Sequence, residues 1–513
     1  MAGRSMSPPS ANVAEAIVSG GRADAPAVLC RDELLTYGEL RARVYGWAAR
    51  LLEQGLVKGD RVGLFSENSP FFIAAYLGVI RAGLCVVPFQ VDAGDKTLQR
   101  VVSSTGMKRI LVSARFRSRL QPLAERLHVP VDGEPGDPLP QPDRLAALPE
   151  VDPYRDLASL MLTSGSTGEP KAVMVTHRNV ERNTQDILQY TGITADDRAM
   201  VVLPFHHCYG ASLMHTHLMA GGSLVLNNRF MFAEKVLDEI QERRCTGLAG
   251  VPATYQILLR KTRLAQRSFP SLRWLQQAGG RLPNPFIREL RQALPHARLL
   301  VMYGQTEATA RLSYLPPERL DDKLGSIGKG LPGTRLEVLS PDGIPVRPGS
   351  DEVGEIVASG ENVTPGYWND PEETRRFYRD GKLHTGDMAR VDPDGFIFLV
   401  ERARDFIKPM GNRVSPKEVE EVIAELPGVV EVAVIGTPDE ILGEAVAAFV
   451  VTARPGELTA DRLRDHCRGQ LPNYKIPQHV EFLRLLPKTA NGKVAKEELK
   501  KLCPQKDRAD VRR

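Results

Sequence analysis

The segment Leu162-Thr163-Ser164-Gly165-Ser166-Thr167-Gly168-Glu169-Pro170-Lys171 places four hydroxyl side chains, two glycines and a lysine within ten residues, directly after a run that reads as an apolar strand. That set suits phosphate. Gly165 and Gly168 can adopt positive φ, so that successive backbone N–H groups converge on one concavity; the hydroxyls add donors and Lys171 adds a positive charge. The spacing argues against a Walker A loop, which has four residues between its glycines and ends in Gly-Lys-Ser/Thr. Here two residues separate the glycines, and Pro170 precedes the lysine. Taken alone, the segment could also be a Ser/Gly turn that binds nothing.

Four further constellations could carry chemistry. In Met302-Tyr303-Gly304-Gln305-Thr306-Glu307-Ala308 a strand ends in a Thr/Glu pair. One carboxylate with a hydroxyl suits Mg²⁺, whose remaining ligands would be waters and substrate phosphate oxygens, although the same pair also suits a helix cap. In His384-Thr385-Gly386-Asp387 a tight turn presents a carboxylate able to accept from both hydroxyls of a ribose; an Asx turn is the plainer alternative. Pro487-Lys488-Thr489-Ala490-Asn491-Gly492-Lys493-Val494 reads, by itself, as a hairpin turn. Leu203-Pro204-Phe205-His206-His207-Cys208-Tyr209-Gly210 carries adjacent histidines which, on an extended strand, point to opposite faces and do not form a metal pair. Cys208 invites a nucleophile reading, but a packed thiol is commoner.

In this order, these motifs resemble the adenylate-forming superfamily of acyl- and aryl-CoA synthetases, peptide-synthetase adenylation domains and beetle luciferases. The resemblance spans residues 36 to 501. It implies a two-step reaction: a carboxylate attacks the α-phosphate of ATP to give an acyl-adenylate and pyrophosphate, then a thiol displaces AMP to give a thioester. Thr163, Ser164, Gly165, Ser166, Thr167, Gly168 and Lys171 would cradle the phosphates, with Thr167 a further candidate for the metal. Tyr303 would stack on adenine beside Gly279, Gly280, Gly304 and Gln305, and Glu307, next to Thr306, would hold Mg²⁺. Asp387 and Arg402, fifteen residues further on, would bind the ribose. Lys493 would bridge the carboxylate and the α-phosphate, and His207 would gate the acyl carboxylate.

The run 402–411 resembles the family's hinge, with Arg404 at the pivot, where aspartate or lysine is usual, and Glu401 in place of a glycine. A small lid would turn about it between the two steps, bringing Lys408 and Gly411 to the thiol tunnel. The acceptor implied is CoA, or alternatively the phosphopantetheine of a carrier protein; an inactive nucleotide- or acyl-binding protein is the third reading, against which intact Lys171, Glu307, Asp387, Arg402 and Lys493 argue. The acyl pocket would be lined by Tyr209, Gln276, Gln277, Ala278, Ala308 and Arg311 along with His207. No aspartate lies in the aromatic motif to pair an α-ammonium, which argues against an amino acid substrate. Two glutamines and Arg311 hint at a polar or second acidic group on the acid, unless they point to solvent or brace the loop.

The elements that must position these residues follow from periodicity. Helical patterns such as Tyr37–Glu53 and 233–243 alternate with strand-like runs such as Arg61–Phe65 and Ser223–Leu226, which predicts parallel βα units; the resemblance implies a large α/β domain with a β-barrel-like part over residues 1–403. Residues 71–89 read as a buried helix feeding a strand. From 404 to 513 a small α+β lid is expected: a capping box at Ser415-Pro416-Lys417-Glu418 opening a helix to about 426, strands at 431–435 and 445–451, a helix over 459–471 and a strand over 479–483.

The 513 residues exceed what one core holds, so more than one domain is expected. Apolar residues at 42% and charged residues at 25% are ordinary for a globular protein, and 67 basic against 63 acidic residues give no reason to expect nucleic acid or an anionic membrane as partner. The six cysteines, Cys30, Cys85, Cys208, Cys245, Cys467 and Cys503, show no pairing pattern and suit a reducing, cytoplasmic setting. No secretory signal is evident before residue 18, and no tandem repeat is present.

Overall fold

The computed structural model describes residues 11–134, 148–164, 170–400, 406–439, 442–488 and 494–502. Two large sheets dominate it. A nine-stranded sheet takes Pro26–Cys30, Arg198–Val201, Ser223–Leu226, Gly247–Gly250, Trp274–Gln277 and Arg298–Tyr303 as its mainly parallel centre, and a seven-stranded sheet is built around Arg61–Phe65, Cys85–Pro88, Arg109–Val112 and Leu157–Ser164. The helix Pro70–Arg81 lies in the core that joins the faces of both sheets. It starts where expected, because Ser69 accepts from the Phe72 N–H and Pro70 occupies the first turn, and every residue up to Ile80 is buried. Apolar side chains of Tyr37–Glu53 and Cys208–Met219 fill the same core, whereas Ala233–Glu242, Pro252–Lys261 and Asn284–Ala293 cover the other face of the nine-stranded sheet.

The expected alternation of parallel units stops at Tyr303. Ser313–Leu315 and Lys329–Gly330 add to the sheet in antiparallel fashion, and Thr334–Leu339, Gly354–Gly360, Tyr378–Arg379, Lys382–Val391 and Ile397–Val400 form a separate antiparallel sheet that stands as the β-barrel-like part. The cause is connection length: turns as short as Asp380-Gly381 cannot carry the crossover that parallel pairing requires.

The C-terminal unit is α+β. Val429–Asp439 and Gly443–Thr452 pair antiparallel and His479–Phe482 joins in parallel, with helices Pro416–Ala424 and Ala460–Arg468 packed against one another. The expected capping box is half present. Ser415 accepts from the Glu418 N–H, but the Glu418 carboxylate goes to Lys475 at 2.6 Å and does not return to the cap. This unit docks on the large domain through an Arg281–Glu421 ion pair of 2.9 Å, an Asn284 N–H to Glu421 bond of 3.0 Å and an Arg260 bond to the Val429 carbonyl of 2.9 Å. Among the described residues no helix is long and apolar enough to cross a membrane, and the five described cysteines are unpaired.

Candidate active site

The two described ends of the hydroxyl-rich segment lie on paired strands. Leu157–Ser164 pairs antiparallel with Pro170–Thr176, setting Thr163 opposite Lys171 and Ser164 opposite Pro170. Gly165, Ser166, Thr167 and Gly168 lie outside the described residues. Lys171 is largely buried: its Nζ pairs with Glu373 and sits 5.7 Å from the centre of the Tyr367 ring. Glu373 stands in the first turn of helix Pro371–Phe377, where its N–H is capped by Asp370. The Tyr367 hydroxyl in turn donates to Glu307 at 2.7 Å, so one phenol connects the lysine of the hairpin to the carboxylate of the second motif. Burial, then the Glu307 charge, push the Tyr367 phenol far up, which keeps it protonated as the donor.

Arg298–Tyr303 ends at this point and the chain folds into a tight turn over Thr306–Ala308. Gly304 is required: a Cβ there would stand 1.9 Å from the Ala310 carbonyl oxygen. Thr309 and Ala310 take φ of 56° and 100°, uncommon for residues with a Cβ, and are held there by Ala310 N–H to the Gln305 carbonyl and Leu312 N–H to the Tyr303 carbonyl. Thr364 donates both its N–H and its hydroxyl to the Glu307 main-chain carbonyl at 3.0 Å, which fastens the turn that carries the carboxylate.

The Tyr303 hydroxyl donates to Asp387 at 2.7 Å, and burial followed by the Asp387 charge keep the phenol well above its ordinary pKa. Asp387 sits on a bulge within Lys382–Val391 and not in a turn between elements, as had been expected. Val357 pairs with His384 and Glu355 with Met388, so the four-residue step on one strand answers a two-residue step on the other. Gly386, at φ 71°, permits it, and Glu355 secures it by accepting from the Gly386 N–H at 2.9 Å while its other oxygen meets His384 Nδ1 at 2.9 Å. Glu355, Tyr367 and Glu373 carry no motif signal; only strand register and tertiary packing bring them in.

The aromatic motif is not an extended strand. Residues 202–207 turn into the helix Cys208–Met219, His207 is its N-cap residue, and the two imidazoles lie side by side with centroids 4.2 Å apart. The expectation that they face opposite ways is therefore corrected. Gly210 makes the turn possible, since a Cβ would meet the Pro204 carbonyl at 2.0 Å. Burial and the neighbouring His207 hold His206 far below its ordinary pKa, so it is neutral. Cys208 accepts from the Thr306 hydroxyl at 3.3 Å, and burial raises its thiol, which fits a packed thiol and not a nucleophile. That contact joins the aromatic motif to the Thr306-Glu307 turn.

Beyond it lies an apolar cluster of Leu203, Tyr209, Leu213, Ala249, Ala278, Leu300 and Met302, the wall of the expected acyl pocket. Two expected members are elsewhere. Ala308 packs with Leu312, Ala358 and Leu383, because the turn at 305–311 directs it under the antiparallel sheet. Gln277 is one residue out of phase: Leu275 and Leu248 pair on the opposite face, and its amide braces the following loop by donating to the Gly280 carbonyl at 2.6 Å. Gln276, paired with Ala249 and Leu300, is the glutamine that faces the cluster. Arg311 does not point to solvent; it is 1% exposed, with its guanidinium 4.2 Å from the Tyr209 ring centre. Gly279 and Gly280 are exposed at the strand's end, with Gly279 at φ 82°.

In the C-terminal unit the Lys408 N–H donates to Glu444 at 2.6 Å, and Gly411 closes a short turn at φ 78°. Arg402, Arg404 and Lys493 lie outside the described residues. Among the described residues no three His, Cys, Asp or Glu side chains form a metal-binding group. The single carboxylate of Glu307 with the Thr306 hydroxyl beside it suits a hard cation that brings its own phosphate and water ligands.

Tyr303 and Glu307 at the end of a parallel strand, joined to Asp387 and, through Tyr367, to Lys171 beside an apolar wall, fit a nucleotide-dependent enzyme of the adenylate-forming class. The chain belongs to the AMP-binding enzyme family: residues 16–368 match the AMP-binding enzyme domain and residues 418–493 the AMP-binding enzyme C-terminal domain. It is 35% identical to a feruloyl-CoA synthase of Amycolatopsis sp over 91% of this chain and 94% of that protein. It is 32% identical to a long-chain-fatty-acid–CoA ligase of Salmonella typhimurium over 93% and 92% respectively. Among solved structures it resembles ATP-bound MatB from Rhodopseudomonas palustris, with a TM-score of 0.84, 30% identity and coverage of 96% and 98%. The anthranilate CoA ligase AuaEII in complex with anthranoyl-AMP gives a TM-score of 0.88 at 25% identity and the same coverage.

Proposed function

We propose that this protein is an AMP-forming acid–thiol ligase that activates a carboxylic acid with ATP, releases pyrophosphate and passes the acyl group to the thiol of CoA. The observation that carries the reading is the bond from Tyr303 to Asp387 beside the Lys171, Tyr367 and Glu307 chain, which joins side chains from four segments of the chain, three of them motif segments; this supports their use as adenine-, ribose- and phosphate-binding groups. CoA as acceptor is supported by relatives named as CoA ligases and synthases.

The acid enters along the Tyr209 wall with its carboxylate near His207, and its oxygen displaces pyrophosphate from the α-phosphorus. Lys171 and the hydroxyl-rich segment hold the phosphates. Glu307 would hold Mg²⁺, which supplies charge neutralisation when bound with ATP. Asp387 accepts from the ribose hydroxyls, and Arg402 donates to the ribose. Lys493 supplies a positive charge where negative charge builds on the α-phosphate oxygens. The lid comprises 404–513 and turns about Arg404, carrying Lys493 away so that Lys408 and Gly411 face the thiol. Dependence on ATP and CoA, together with the unpaired cysteines, supports a cytoplasmic setting.

The test is pyrophosphate release by the purified protein with MgATP across short, medium, aromatic and dicarboxylic acids, with and without CoA. Release that rises with CoA, together with a thioester of matching mass, is the expected result. Release indifferent to CoA would move the acceptor to a carrier protein. In Lys493→Ala, adenylation should fall about 1,000-fold, the scale on which one charge aimed at the transition state acts, while thioester formation from supplied acyl-adenylate is spared.

A further inference from the structure

The apolar wall of the acyl pocket carries two buried polar side chains that the protein leaves unmatched. Arg311 is 1% exposed; its Nε donates to the Met302 sulfur at 3.3 Å and its plane stacks on Tyr209, but Nη2 has no hydrogen-bond partner. Among the described residues no carboxylate pairs with it. Tyr190, the titratable neighbour on the facing helix, gives its hydroxyl hydrogen to Met302 at 3.1 Å and its oxygen also meets the Arg311 side chain; burial holds the phenol protonated, so it brings no negative charge and leaves Nη2 unmet. Gln276 is also 1% exposed, and both its amide nitrogen and its amide oxygen lack partners. Strand register puts it on the Ala249 and Leu300 side of the sheet, among the same cluster that contains Tyr209 and Met302.

A guanidinium withdrawn from water without a counter-charge is strongly destabilising, and an amide with neither end satisfied adds to that cost. The stack on Tyr209 stabilises the face of the guanidinium and does nothing for the in-plane N–H groups at Nη2. The Arg311 carbonyl is satisfied, accepting from Asn183 at 2.9 Å and Asn362 at 3.0 Å, so the main chain is held independently of the side chain. Arg311 lies against Tyr209, the neighbour of Cys208, which accepts from Thr306; the proposed reaction puts the near carboxylate at this end of the wall.

Resting on the synthetase reading above, we infer that the substrate is a dicarboxylate, whose far carboxylate is received by Arg311 Nη2 and the Gln276 amide while the near one is adenylated. A carboxylate would pair the buried charge and take the amide hydrogens, turning two unmatched groups into one charge-assisted site. Arg311 and Gln276 are thus specificity-determining residues of the acyl pocket.

The experiment compares kcat/KM for acids matched in length, each dicarboxylate against the monocarboxylate ending in methyl, in the wild type, Arg311→Leu, Arg311→Lys and Gln276→Leu. The wild type should favour a dicarboxylate by about 100-fold at its best length, the scale of one hydrogen bond to a charged group. Arg311→Leu should abolish or reverse that preference, Arg311→Lys should keep part of it, and Gln276→Leu should weaken it. Arg311→Leu should also melt no lower than the wild type, since it removes an unmatched charge; a bracing role would instead lower the melting temperature and leave the preference in place. Robust pyrophosphate release that favours monocarboxylates or hydroxy acids at every length overturns the inference and leaves the synthetase reading standing. Silence with every acid counts against the synthetase reading. Melting curves with ATP and each diacid would then decide the inference: stabilisation of the wild type but not of Arg311→Leu supports it, and no stabilisation overturns it.

Discussion

Tyr303 and Asp387, 84 residues apart in the chain, are joined by a 2.7 Å hydrogen bond in which the phenol donates to the carboxylate. The bond aims the carboxylate before any nucleotide arrives. If Asp387 accepts the ribose hydroxyls, Asp387→Asn should lower kcat/KM for ATP by about 10- to 150-fold, the equivalent of one charge-assisted hydrogen bond. Tyr303→Phe keeps the ring and should cost about tenfold less. Initial rates of pyrophosphate release over a range of ATP concentrations measure both; equal losses in the two variants would show that the carboxylate's aim matters more than its charge.

Lys171 is held by Glu373 and lies against Tyr367. ATP phosphates must compete with Glu373 for the ammonium. Glu373→Gln should therefore lower the KM for ATP by about threefold, the lower range of a partly buried ion pair, and Lys171→Met should lower kcat by about 100-fold. An unchanged KM in Glu373→Gln would place Lys171 outside the phosphate site.

Tyr367 orients Glu307 through a 2.7 Å bond, and its phenol cannot ionise near neutral pH. In Tyr367→Phe the carboxylate loses that guide but keeps its charge. The expected result is a rise of about tenfold in the Mg²⁺ concentration giving half-maximal rate, in line with the loss of an outer partner of a metal ligand, with kcat largely restored at saturating Mg²⁺.

How much of this arrangement was legible in the sequence depended on the range of the signal. The helix Tyr37–Glu53 and the strands Arg61–Phe65 and Ser223–Leu226 fall on the expected residues because caps and apolar runs are local. Tyr303, Glu307 and Asp387 announce themselves by short motifs. Glu355 does not, since its role exists only through a bulge that sets it beside Gly386, and neither do Tyr367 or Glu373. Gln276 and Gln277 are indistinguishable by composition; one step of strand phase decides which faces the acid. The histidine pair departs from strand alternation because Gly210 allows a close turn that an alternating pattern does not reveal.

His215 and His217, buried on one helix, are held by desolvation at pKa values of about 3 and about 4, against an ordinary 6.5. Both are neutral in the folded protein and protonate in the unfolded chain below pH 6.5. Their contribution is complete above that value and is lost as pH falls toward the folded-state values, at about 1.4 kcal/mol per pH unit for each, or about 2 kcal/mol per histidine by pH 5. Urea unfolding midpoints measured from pH 7 to pH 5 should fall steeply in the wild type and less steeply in His215→Leu; parallel slopes would show that this histidine is not the group titrating.

Arg311 has its main chain fastened by Asn183 and Asn362 while its side chain reaches into the acyl wall. Because the main chain is fastened independently of the side chain, a substitution here would change the lining of the acyl wall while leaving in place the seven-residue bend that presents Glu307 at the other end. Descendants of one such gene could divide a range of acids among themselves by drift at this position, each inheriting the nucleotide machinery intact.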